Sequence, residues 1–182
     1  MSVTCRGRSS GTSQVPDLDH VGVDLEETRA YITTVIEDPS EADRDPAVLA
    51  RWVGADRAEV SFASGAGAIY VGGSGEPSAM TVLLAALAAC DVDLVANRAA
   101  LLGVEIEELS VAASGHFNVR RYLGLEAPQG PGYQRIAYVV RLKARAATSE
   151  QLAELRRACE QDSPVGDTLR EGVTLSFEFE PS

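Results

Sequence analysis

PSAMTVLLAALAACDVDLVANRAALLG, residues 77–103, decides the fold. Pro77 suits a helix opening, because its fixed φ is helical and its missing N–H is not needed there. Every residue in 82–89 is apolar, so no face of this half is suited to water. Gly103 stands where a helix must stop, since glycine adopts the left-handed conformation of that position freely. The stretch predicts one long helix over about 77–102, buried all round, with Cys90 near its middle.

Upstream, Gly72, Gly73 and Gly75 predict a flexible turn. Their GGSG pattern lacks the G-x-G-x-x-G spacing of a dinucleotide site. Three short strands are expected before it, over 48–53, 58–63 and 68–71, the last two as a hairpin. Asp24 can cap a helix whose third residue is Glu27. Leu25, Ile32, Val35 and Ile36 follow at helical spacing, Pro39 ends that helix, and 39–46 is an acidic connector. Residues 1–19 are rich in Ser, Gly, Thr and Arg and are expected to be a disordered tail holding Cys5.

Downstream, Leu109, Val111 and Ala113 alternate with small or polar residues. Ile136, Tyr138, Val140 and Leu142 alternate in the same way, and so do Val173, Leu175, Phe177 and Phe179. Such alternation marks antiparallel strands with one wet face. Thr148 and Gln151 form a capping box for a helix between them, and Ser163 with Pro164 opens a second, short one. The expected class is α+β: helix, three strands, long helix, two strands, helix pair, strand. A sheet with one apolar face covers an apolar helix on one side only. A symmetric homodimer pairing two such helices between two sheets would cover the other. The chain divides into a tail (1–19), an N-terminal helix with its connector (20–46) and a main domain (47–182).

The 182 residues suffice for one hydrophobic core. A net charge of −11 argues against nucleic acid or an anionic membrane as partner, since both attract basic surfaces. Arg6 and Arg8 precede no apolar block, so a cytoplasmic location is expected. Cys5, Cys90 and Cys159 are too few for a disulfide framework, and with His20 and His116 they match no zinc spacing. In a reducing compartment such thiols are either inert or redox-active.

Two motifs in order, 75–103 with LLAALAAC ending at Cys90 and SPVGDTL at 163–169 followed by Gly172, resemble the OsmC/Ohr family. The segment ARWVG at 50–54 is similar to the family's first strand. The resemblance covers about residue 47 to the end; the helix before it is an addition. It implies an intertwined homodimer, with antiparallel sheets packed around the long central helix. It also implies a thiol-dependent reductase of organic hydroperoxides or hydrogen peroxide. Cys90 is then the reactive cysteine. Arg57 corresponds to an arginine that reaches the site from the neighbouring subunit. No bound cofactor is implied; the reductant would be an external dithiol such as a lipoyl group. Two positions depart from the pattern. Ser163 stands where a second, resolving cysteine is expected. Met80, ten residues before Cys90, stands where a glutamate is expected.

A peroxide-reducing thiol must ionise. Apolar surroundings oppose that, and so does a carboxylate such as Asp93, three residues on along the helix. A cation is therefore required, and Arg57 is the candidate. Cys159 lies one turn before Ser163, about 6 Å away, and is either a displaced resolver or a core residue. Ser163 is also explained as a helix cap. Met80 and Leu87 could line an apolar substrate pocket. His116 reads as a surface histidine more readily than as a site residue. Besides the peroxidase, two other functions fit these residues. One is a catalytically impaired protein that binds a small apolar ligand in the dimer pocket. The other is a one-cysteine redox sensor.

Overall fold

The computed structural model describes residues 22–180; the expected tail and Cys5 lie outside them. Helix α1 (Leu25–Glu37) begins where the side chain of Asp24 accepts the N–H groups of Glu26 and Glu27. A 3-10 turn over Pro39–Ala42 follows. Strands β1 (Val48–Trp52), β2 (Ala58–Phe62) and β3 (Ala68–Val71) form an antiparallel sheet in the order β1-β2-β3. Helix α2 (Ala79–Leu101) starts at Ser78, whose side chain accepts the N–H of Thr81. At its far end Gly103 takes a φ of 69°, and Val104 donates to the carbonyl of Ala99 at 2.8 Å. This closure of the last turn is the one a left-handed glycine permits.

Strands β4 (Glu105–Phe117) and β5 (Tyr133–Arg145) form a long antiparallel hairpin. Both are longer than the alternation suggested. Ile106 pairs with Ala144 and Glu108 with Lys143, so Glu107 is bulged out. The bulge resets the alternation: Ile106 faces inward before it, and Leu109, Val111 and Ala113 do so after it. On the wet face Lys143 and Arg145 pair with Glu105, Glu107 and Glu108. Helix α3 (Ser149–Gln161) carries the expected capping box at Thr148 and Gln151. Helix α4 (Pro164–Glu171) is capped by Ser163.

The core lies where α2 meets the β4–β5 hairpin, α3 and α4. Ala99, Val104 and Leu155 are its centre, with Leu102, Ile106, Leu142, Ala144 and Ala147 packed around them. Gln151 also donates to the carbonyl of Leu102 at 3.0 Å and ties α3 to the end of α2. By length and composition α2 could cross a membrane; here one row of it is buried where it meets the hairpin, α3 and α4.

Two expectations need correction. Helix α2 is not buried all round within one chain: Leu87, Asp91, Val95 and Ala99, spaced by four, are its buried row. Leu83 and Val92 on other faces keep more than a third of their surface exposed. The strand expected over 173–179 does not form, and residues 173–180 run without secondary structure. Val173, Leu175, Phe177 and Phe179 alternate as a strand does, yet all four are exposed. A strand needs a neighbour for its hydrogen bonds, and among the described residues this segment has none.

Candidate active site

Cys90 lies in the middle of α2, and its side chain is half-buried, whereas Cys159 on α3 is buried. The residue after Cys90 belongs to the buried row: Asp91 is fully enclosed, as is Ser163 at the start of α4. Ser163 Oγ lies 2.5 Å from Asp91 Oδ1 and 3.8 Å from Cys90 Sγ. It also accepts the N–H of Gly166 at 3.2 Å, as a helix cap does. Gly166 leaves room for the Ser163 side chain over the first turn of α4: a Cβ there would stand 2.9 Å from Ser163 Oγ. Thus the serine at the expected resolving position does touch Cys90. Its hydroxyl cannot form a disulfide.

Arg57, at the entry to β2, donates to Glu76 Oε1 at 3.0 Å. Its guanidinium also stacks on the ring of Tyr70, 4.0 Å from the centroid. The sharp turn before α2 brings Glu76 there. Gly72, at a φ of 79°, donates to the carbonyl of Pro77 at 2.9 Å, and a Cβ on Gly72 would collide with the carbonyl of Asp56. An arginine–glutamate pair therefore exists, but its carboxylate comes from Glu76 and not from the position of Met80. A sequence signal for it was available: Glu76 is the acidic residue nearest the start of α2.

Met80 and Leu87 both line a cleft of about 500 Å³, with Leu83, Tyr133, Ile136, Tyr138 and Leu169. Tyr133 forms one wall. Its hydroxyl donates to the carbonyl of Met80 at 2.7 Å, and its ring crosses the face of Gly115, where a Cβ would overlap it. Leu87 is one turn before Cys90 on α2, and Gly166 of the cleft is bonded to the serine that touches Cys90.

Cys159 sits under Tyr138, whose hydroxyl donates to its carbonyl at 3.5 Å. Burial pushes the Cys159 thiol up to about 11, helped by the charges of Asp91 and Glu160. The Tyr138 hydroxyl is also raised, by burial first and then by Asp91 and Cys159. Asp93, expected to oppose ionisation of Cys90, is exposed and binds Asn97 at 3.1 Å. Asp91 is the carboxylate linked to Cys90, and it was missed because neighbouring helical residues diverge by about 100°. Its four-residue step from Leu87 and to Val95 was the available signal. His116 is exposed on β4, opposite Arg135.

Residues 72–178 match the family described as OsmC-like protein, more than half of the chain. The fold is similar to an OsmC-like protein from Mycoplasma pneumoniae, at 15% identity and a TM-score of 0.60, over 72% of this chain and 90% of that one. It is also similar to an OsmC-like protein of unknown function from Vibrio cholerae, at 12% identity and a TM-score of 0.56, over 70% and 95%. A third similar structure is an organic hydroperoxide resistance protein OsmC from Legionella pneumophila, at 14% identity and a TM-score of 0.51, over 71% and 91%. No curated protein matches the sequence. With its central cysteine helix, its antiparallel sheets and a family match over residues 72–178, this chain belongs to the OsmC-like family.

Proposed function

We propose that the protein reduces hydroperoxides through Cys90, with an external dithiol as the final reductant. The observation that carries this reading is the setting of Cys90. Its sulfur is half-open, one helical turn from an apolar cleft, in a family associated with organic hydroperoxide resistance. The thiolate attacks the O–O bond and gives a sulfenic acid and an alcohol, or water from hydrogen peroxide. An apolar cleft favours an organic peroxide. Arg57, held by Glu76, is the cation that would favour the thiolate and orient the peroxide. Cys159 is a poor resolver: with its thiol near 11, about one molecule in ten thousand is ionised at pH 7. A thiol from outside the protein resolves the sulfenic acid instead.

The active unit we propose is a homodimer. Trp52 on β1 is 77% exposed, and Leu175, Phe177 and Phe179 are 78–86% exposed. A second copy would bury these side chains, cover the open faces of α2 and bring its own Arg57 toward Cys90. One observation favours a second reading, binding of a small apolar ligand without turnover: Ser163 occupies the place of the resolving thiol. A steady-state assay with an organic hydroperoxide and dihydrolipoamide separates the two. The peroxidase turns over many times per thiol and loses all activity in Cys90→Ser. Absence of turnover in the wild type overturns it.

A further inference from the structure

The peroxide chemistry above leaves one buried ionisable group unused. Asp91 is fully enclosed, and among the described residues it forms no ion pair. Its Oδ2 has no hydrogen-bond partner there, and Oδ1 has only the Ser163 hydroxyl at 2.5 Å. A buried carboxylate without a cation is costly, and taking up a proton relieves it. A serine hydroxyl has one hydrogen. With Oγ at 2.5 Å from the carboxylate and 3.8 Å from the sulfur, that hydrogen points to Asp91. The Gly166 N–H occupies one lone pair of Oγ, and the other is free to accept the Cys90 S–H.

We propose that Ser163 and Asp91 are a proton relay for Cys90. The inference rests on Cys90 being the reacting thiol. As the thiol proton passes to Ser163 Oγ, the hydroxyl proton passes to Asp91 Oδ1. A thiolate then stands beside a neutral carboxylic acid, and the three residues still carry one negative charge in total. The thiolate is thus formed without a second charge entering the buried site. When the thiolate attacks a hydroperoxide, the S–O bond forms and the O–O bond breaks. Sulfur is oxidised, the peroxide is reduced, and the departing alkoxide takes the Asp91 proton back through Ser163. The products are Cys90 sulfenic acid and an alcohol. Ser163 touches the reacting sulfur, and Asp91 acts only through it.

Other charged or titratable groups surround the three residues. Tyr138 of β5 and Cys159 of α3 feel the Asp91 charge, and Glu160 and Arg170 act on Tyr138. Arg98 and Asp162 pair with each other beside the start of α4 at 3.3 Å, and Asp93 lies on the outer side of α2. The Cys159 thiol and the Tyr138 hydroxyl are both pushed up, so neither titrates near neutrality.

The test compares two reactions of Cys90 in the reduced full-length protein at pH 7, each followed at its peptide by mass spectrometry. Iodoacetamide alkylation reads the thiolate alone, because the departing iodide needs no proton. Sulfenic acid formation with substoichiometric organic hydroperoxide also needs a proton for the departing alkoxide. Ser163→Ala leaves the carboxylate but cuts the path, and Asp91→Asn keeps the shape and the serine contact but removes the acid. Each should slow sulfenic acid formation at least tenfold more than it slows alkylation. Equal changes in the two rates, or unchanged sulfenic acid formation in either variant, overturn the relay. A wild type whose Cys90 is alkylated but forms no sulfenic acid sinks the peroxidase reading and the relay with it; a wild type no faster with peroxide than both variants sinks the relay alone.

Discussion

Glu76 Oε1 holds the guanidinium of Arg57 at 3.0 Å, across nineteen residues of sequence and a glycine-rich turn. The pair fixes one nitrogen of the guanidinium and the Tyr70 ring supports its face, so the remaining N–H groups are left to point elsewhere. If the cation promotes the Cys90 thiolate, Arg57→Ala should lower the rate of Cys90 sulfenic acid formation about 100-fold. Glu76→Gln, which leaves the charge but loosens it, should cost about tenfold. Stopped-flow mixing with substoichiometric peroxide measures both rates. Equal rates in all three proteins would remove Arg57 from the mechanism.

Cys159 sets a pH dependence of stability. Its thiol rises from an ordinary 9.0 to about 11 on folding. Below 9.0 the folded and unfolded chains both keep the proton. Between 9.0 and about 11 the unfolded chain releases it and the folded chain does not, so stability falls as pH rises. The loss is on the order of 2 kcal/mol. Urea titrations at pH 8 and about 10.5 should show it in the wild type and a smaller loss in Cys159→Ser. Some loss should persist in that variant, because Tyr138 is shifted in the same direction. Cys159→Ser should also turn over peroxide with a dithiol as fast as wild type.

Ser163→Cys should restore an internal resolver. The hydroxyl oxygen already lies 3.8 Å from Cys90 Sγ, so a sulfur placed there needs only a small adjustment to reach bonding distance. After one equivalent of peroxide, peptide mapping without reductant should find a disulfide between Cys90 and the introduced thiol in this variant. The wild type should accumulate Cys90 sulfenic acid under the same conditions.

The exposed apolar tail at 173–179 should behave as an interface. Replacing Leu175 and Phe177 together by Glu should shift the protein from dimer to monomer in sedimentation velocity at micromolar concentration. Burying two charges per subunit is far more costly than leaving them in water. A wild type that is monomeric under those conditions would remove the dimer.

The helix caps were the most legible part of the fold. Asp24, Thr148 with Gln151, Ser163 with Pro164, and Gly103 all act in the structure as their types dictate, because a cap is settled within four residues. The segment 173–179 has the alternation of a strand but no neighbouring strand among the described residues, and alternation carries no information about a partner. The extra residue at Glu107 was likewise invisible, since a bulge depends on the register of the opposite strand. In the site, family resemblance pointed to Ser163 and Cys90, and the structure brings their side chains together. Asp91 escaped because helical spacing was counted from Cys90, whereas the buried row runs through Leu87 and Val95. Glu76 escaped because a turn, and not a helix, delivers it to Arg57.

The Tyr133 ring crosses bare backbone at Gly115, and its hydroxyl grips the carbonyl of Met80. One wall of the cleft is thereby hung between two elements, with an absent side chain as its bearing surface. Any residue larger than glycine at 115 would lever the ring off the sheet and draw the hydroxyl away from the first turn of α2. The mouth of the cleft would change shape although none of its lining residues had been altered. Residue 115 therefore shapes the cleft from behind its wall, without lining it.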